Sequence, residues 1–207
     1  MTTALQHLFT ADNKHCEILS LDDFYLTAED QSKLAEMHVN NPLLQYRGNA
    51  GTHDLPLLRD TLEALRHSSS VGDTDTHTGT TTETHKNAAQ HLTKIPRYDK
   101  SLREGRGDRG PEKTWSVVKQ TPDVVLLEGW MLGFEALYGD EHEALSEEMK
   151  DVNTYLQKYT SIHCLMDGWL VVDAEHVNYV YKWRQEAETQ MSNSGKPSMS
   201  EMQVYKV

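Results

Sequence analysis

Several carboxylates and cations in this chain stand where they can do chemistry. Asp22 and Asp23 come directly after the apolar Ile18 and Leu19, in the stretch SLDDFYLT at 20–27. In open α/β sheets ligands bind outside the carboxyl ends of the strands. A carboxylate placed there can take a proton from a substrate hydroxyl and make its oxygen a better nucleophile. The same pair could instead do no more than cap the next helix.

A second stretch, RGNAGTHD at 47–54, combines two glycines with Arg47 and Asp54. Glycines let backbone N–H groups approach a ligand, an arginine offers a carboxylate a two-pronged fork, and a helix N-terminus favours an anion. A plain structural turn is the alternative. A third stretch, PRYDKS at 96–101, runs on to Arg103, Arg106 and Arg109, so that with Arg97 and Lys100 five basic residues fall within thirteen positions. In a chain of formal charge −12 this points to an anion-facing loop more than to an ordinary solvated face. In DVVLLEGW at 123–130 an apolar run ends in Glu128, the form of a carboxylate that helps to hold Mg2+ in phosphate-binding domains. YVYKWRQE at 179–186 sets Lys182 and Arg184 among aromatics. Core packing explains the rings, and Arg184 can cover a transferring phosphoryl group.

These residues need elements to position them. Apolar runs alternate with amphipathic stretches, which predicts an α/β fold with a mostly parallel sheet wrapped by helices. Strands are expected at 16–21, 94–98, 124–127 and 169–172. Thr27 with Asp30 forms a capping box for a helix over 27–38. Asp54 and Pro56 open another, with Leu55, Leu58, Leu62 and Leu65 on one face. Further helices are expected at 2–9, 144–159 and 175–191.

At 207 residues the chain has room for one such domain, 1–207. Its acidity argues against a non-specific nucleic-acid binder, which needs a basic face to displace counterions. No apolar run approaches the roughly 18 residues of a membrane span, so a soluble chain with no membrane partner is expected. Cys16 and Cys164 are read as two buried free thiols. The segment 67–91 is mostly Ser, Thr, Asp, His and Gly, and is expected to be a disordered surface insertion. Its histidines, His67, His77, His85 and His91, are too irregularly spaced for a metal tract.

Together, SLDDFYLTAEDQ at 20–31, LLQYRGNAGTHDL at 43–55, IPRYDKS at 95–101, GRGDR at 105–109, LLEGWMLGF at 126–134 and YVYKWRQEAE at 179–188 resemble the P-loop kinases of small metabolites. Within that group, which includes uridine kinase, phosphoribulokinase and pantothenate kinase, the chain is most similar to the D-glycerate 3-kinases of plant and algal type. The resemblance implies a P-loop NTPase-like three-layer fold. It implies transfer of the ATP γ-phosphate to D-glycerate, giving 3-phosphoglycerate, with ATP and Mg2+ as cofactors. By it, Asp22 is the base, Arg184 the lid arginine and Glu128 a carboxylate near Mg2+. Asp23, Tyr25, Arg47, Asp54 and Arg97 lie on the substrate side, with an arginine on the glycerate carboxylate. It further implies a photorespiratory, chloroplast role if the source is photosynthetic, and a cytoplasmic one otherwise.

The family's nucleotide site begins with G-x-x-x-x-G-K-[ST]. Here Met1-Thr2-Thr3 resembles the end of that motif, with Met1 where the lysine is expected. On this reading Thr2 and Thr3 belong to the nucleotide site, Thr2 is an Mg2+ ligand, and the chain is a partial domain whose first strand and phosphate loop are missing. Two alternatives accompany the kinase reading. One is an inactive remnant of the fold that binds an organic acid or a partner protein, and the other is a related kinase with a different acceptor alcohol.

Overall fold

The computed structural model describes residues 1–67, 92–176 and 178–193. The chain divides into two compact units, Met1–Asp167 and Gly168–Val207. In chain order the first unit comprises α1 (Thr2–Ala11), β1 (Cys16–Ser20), α2 (Ala28–Met37), α3 (Leu55–His67), β2 (Thr93–Ile95), β3 (Tyr98–Asp99), β4 (Asp108–Arg109), β5 (Ser116–Val118), β6 (Val124–Glu128), α4 (Gly139–Glu143), α5 (Glu147–Leu156) and α6 (Thr160–His163). The described part of the second unit contains one helix, α7 (Asn178–Asn193).

The fold is α/β. β1 and β6 pair in parallel, with Cys16 opposite Val124 and Ser20 opposite Glu128. β6, VVLLE, is a nearly continuous apolar run, whereas β1, CEILS, sets Glu17 among its apolar residues and ends in Ser20. At their amino ends the His15 N–H donates to the Asp123 carboxylate at 2.8 Å. Their carboxyl ends therefore come out in register, and the chain leaves one at Leu21-Asp22-Asp23 and the other at Gly129. A Cβ on Gly129 would lie 2.8 Å from that of Leu21, so glycine permits the close approach of the two exits. β2 pairs antiparallel with β5, and β3 with β4.

The core forms where the helices cover these strands. Leu19, Leu21, Phe24, Leu44, Leu58, Ile95, Tyr159 and Ile162 are all at most 1% exposed. Leu58, Leu62 and Leu65 of α3 are buried at the predicted helical spacing, with Leu55 packed against them. Each such side chain contributes roughly 1.5–3 kcal/mol by leaving water. The helix start is also as predicted: the Leu57 N–H donates to Asp54 Oδ1 at 3.0 Å. Thr27 accepts from the Asp30 N–H at the start of α2.

Three expectations change. Residues 169–172 are no strand; they run exposed, with Val171 80% accessible and no ladder partner among the described residues. The stretch 144–159 is not one helix, because Ser146 caps a new start by accepting from the Met149 N–H. The stretch 94–98 splits at Pro96, which has no N–H to donate to a ladder, into β2 and β3. Cys16 is buried and free as expected, whereas Cys164 is free but exposed at the end of α6. The expected insertion at 67–91 lies outside the described residues, apart from His67, which closes α3. Among the described residues no helix is long and apolar enough to cross a membrane.

Candidate active site

The turn after β1 is a short 3-10 helix, Leu21–Phe24, whose two apolar residues are fully buried. That anchoring leaves Asp22 and Asp23 at the surface of the strand end. Asp22 accepts from Lys100 Nζ at 2.6 Å and from the Tyr25 hydroxyl. Burial works against its charge, but the Lys100 amine and the Tyr25 hydroxyl outweigh it and hold the carboxyl below the ordinary aspartate range. Asp22 is thus an ionised acceptor, half open to solvent. Burial and the Asp22 charge push the Tyr25 hydroxyl far above its usual range, so it stays a donor.

Asp23 faces the other way. Its carboxylate accepts from Arg97 Nη1 at 2.8 Å and from the Tyr98 N–H at 3.0 Å. Arg97 also donates to Ser116 Oγ through two nitrogens. Asp23 and Arg97 therefore fasten the β2 and β3 segments to the strand turn. Asp54 has two duties, capping α3 with one oxygen and accepting from Arg109 Nη2 at 2.8 Å with the other. Arg109 reaches the Tyr25 carbonyl as well, and its buried Nε has no partner among the described residues.

In the 47–54 turn the backbone N–H groups turn inward instead of towards a ligand. The Gly48 N–H donates to Thr52 Oγ1 at 3.0 Å, and the Gly51 N–H donates to the Tyr159 hydroxyl. Gly51 has φ +102°, and a Cβ there would lie 2.7 Å from the Tyr155 ring, so position 51 demands glycine twice over. Arg47 grips the carbonyls of Gly105 and Arg106 and lies 5.8 Å from the centre of the Tyr98 ring. Its charge is felt at both the Tyr25 and Tyr98 hydroxyls. Arg97, Lys100, Arg103 and Arg109 are each paired with a carboxylate. Among the described residues Arg47 and Arg106 have none; Arg106 lies over the Tyr46 ring, and Arg47 is the one whose charge reaches the Tyr25 hydroxyl beside Asp22.

Beneath Asp22 lies a buried histidine. His53 is 5% exposed, stacks on Tyr25 with ring centres 4.4 Å apart, and meets the Tyr159 hydroxyl at 2.6 Å through Nδ1. Burial lowers its pKa to about 4, so the ring is neutral at physiological pH. Backbone pairing between Tyr25 and His53 joins the 47–54 turn to the strand turn, with the Asp54 N–H on the Phe24 carbonyl at 2.7 Å.

Glu128 ends β6, opposite Ser20, exposed and with no side-chain partner among the described residues. Among those residues no group of three or more His, Cys, Asp or Glu can hold a metal ion. Mg2+ keeps several waters and uses one or two carboxylates plus substrate phosphates. A free carboxylate one strand away from Asp22 fits that ion, held directly or through water. Thr2 and Thr3 form the first turn of α1. Arg184 lies in α7 of the second unit.

The structure thus brings Asp22, Asp23, Tyr25, Arg47, Asp54 and Arg97 into one cluster at the strand ends. It adds Lys100, Arg109, His53 and Tyr159, none of which the sequence reading assigned a role. Lys100 and Arg109 carried a signal, the density of basic residues at 97–109. His53 and Tyr159 had none, because their bond spans 106 positions.

No family model matches the chain. It is 41% identical over 202 residues to the chloroplastic D-glycerate 3-kinase of Arabidopsis thaliana, covering 97% of this chain and 40% of that protein. It is 34% identical over 214 residues to the uncharacterized kinase mug58 of Schizosaccharomyces pombe, covering 99% of this chain and 70% of the relative. Among solved structures, the D-glycerate 3-kinase of Cryptococcus neoformans superposes with TM-score 0.80 at 31% identity, over 97% of this chain and 68% of that one. The fold is accordingly that of a P-loop-like small-metabolite kinase, with carboxylates at the carboxyl ends of a parallel strand pair. The chain belongs to the family of D-glycerate 3-kinases and their related kinases. It spans well under half the length of the plant relative.

Proposed function

We propose that this chain forms the acceptor side of an ATP-dependent D-glycerate 3-kinase. The observation that carries the reading is an ionised, partly open Asp22 at the strand exit, with Arg47, a cation that has no carboxylate partner among the described residues, felt at the neighbouring Tyr25 hydroxyl. A hydroxy acid such as glycerate needs both: an acceptor for the proton of its reacting hydroxyl and a positive partner for its carboxylate. In the proposed step the glycerate 3-oxygen bonds to the γ-phosphorus of ATP as the bond from that phosphorus to the ADP oxygen breaks. Asp22 receives the proton released from the hydroxyl. Tyr25 fixes the orientation of Asp22, and Arg47 holds the carboxylate end of the substrate. Asp23, Arg97, Asp54 and Arg109 act one layer further out, where they keep the two turns in register.

Mg2+, when bound with the nucleotide through Glu128, would neutralise phosphate charge. Thr2 and Thr3 are proposed for the nucleotide side and Arg184 for the lid. Phosphoryl transfer asks mainly for alignment and charge compensation, which suits a site that contains no nucleophile of its own.

The test is a panel of acceptors with MgATP: D-glycerate, L-glycerate, glycerol and uridine. The proposal expects ADP formation only with D-glycerate, and 3-phosphoglycerate as product. Transfer to glycerol or uridine in preference would assign a different acceptor, and a 2-phospho product would overturn the placement of the 3-hydroxyl at Asp22.

A further inference from the structure

Buried N–H and hydroxyl groups are almost always paired, because an unpaired one forfeits roughly 1–3 kcal/mol. His53 breaks that rule: its Nε2 is closed to solvent and has no partner among the described residues. The tautomer follows from its neighbours. The Tyr159 hydroxyl is buried and its hydrogen-bond partner among the described side chains is His53 Nδ1 at 2.6 Å, so its proton is satisfied only by donating there, with Nδ1 as acceptor. In a neutral imidazole the other nitrogen then carries the hydrogen. The orphan is therefore a donor awaiting an oxygen. Its ring is stacked on Tyr25, whose hydroxyl bonds Asp22, and the Asp22 charge is the ionic partner it feels.

We infer that His53 Nε2–H is a specificity-determining donor, reserved for an oxygen of the hydroxy acid that binds beside Asp22. This inference rests on the proposed glycerate site. It explains why a histidine is buried in neutral form with one nitrogen pinned by a tyrosine from a distant helical segment. Pinning fixes which nitrogen donates, and neutrality keeps that donor unchanged across physiological pH. Since Nε2 is sealed in the ligand-free chain, binding must open a path to it.

The test uses the full chain labelled with 15N, and reads the imidazole nitrogens by long-range 1H–15N correlation, with His53 assigned from a His53→Gln variant. The ligand-free protein should show His53 as the Nε2–H tautomer. Saturating D-glycerate should move the Nε2–H resonance downfield, and His53→Phe should weaken glycerate binding about tenfold or more. His53→Gln, which keeps an N–H donor, should retain most of the affinity. Glycerate binding that leaves the Nε2 resonance and the His53→Phe affinity unchanged would overturn this inference alone. No glycerate binding by the wild-type chain would overturn the substrate reading, and this inference with it.

Discussion

The turn after β1 and the loop between β3 and β4 supply opposite charges to one site, and they are held in opposite ways. The turn is carried by apolar anchors, with Leu21 and Phe24 fully buried on either side of its two aspartates. The loop 100–107 is exposed along nearly its whole length, and it contains Arg103 and Glu104 at φ +53° and +58°. It keeps its shape through polar contacts: Lys100 on Asp22, Arg103 on Asp108, and Arg47 on the carbonyls of Gly105 and Arg106. Hydrophobic burial therefore fixes where the carboxylates stand, while the carboxylates fix where the cations stand. Changes in the turn should alter chemistry and stability, and changes in the loop should alter ligand affinity and salt dependence.

Four changes test that division, taken from the largest expected effect. Asp22→Asn keeps the shape but removes the proposed proton acceptor, so turnover should fall at least about a hundredfold, the usual scale for a general base. Arg47→Met removes the cation without a carboxylate partner among the described residues whose charge reaches the Tyr25 hydroxyl beside Asp22. The dissociation constant for glycerate, read by calorimetry, should rise about tenfold or more, while that for glycerol is unmoved. Gly51→Ala forces a side chain onto the Tyr155 ring at φ +102° and should destabilise the fold by roughly 1–3 kcal/mol in denaturant titration.

The most gradual effect is with pH. His53 has a folded pKa of about 4 against an ordinary value of 6.5, so the unfolded chain binds the proton more readily. Its penalty is absent above pH 6.5 and grows as pH falls towards 4. Wild-type stability should therefore decline through that window with a slope of up to one proton, and His53→Gln should flatten it. An unchanged slope in the variant would show that His53 is not buried in neutral form.

Much of this arrangement was legible in the sequence, and the limit has a physical origin. β1, β6, α2 and α3 were readable because periodicity and caps are local: Leu58, Leu62 and Leu65 announce a helix face, and Thr27 and Asp54 its starts. The break at Ser146 was hidden because residues on both sides favour helix. The run at 169–172 was misleading because a short apolar stretch reads as a strand whether or not a partner pairs with it. In the site, the acids were found through their position after apolar runs. The partners of the cations were not, since Arg97 on Asp23 and Arg109 on Asp54 join residues 74 and 55 positions apart.

In the proposed mechanism two adjacent aspartates divide the work, Asp22 doing chemistry and Asp23 holding the frame. The most direct test measures glycerate-dependent turnover and unfolding free energy for Asp22→Asn and Asp23→Asn side by side. Asp22→Asn should lose turnover at nearly wild-type stability. Asp23→Asn, which weakens the bonds to Arg97 and Tyr98, should lose roughly 1–3 kcal/mol of stability and keep most of its turnover. Near wild-type turnover in Asp22→Asn, or a greater loss of rate in Asp23→Asn, would contradict it.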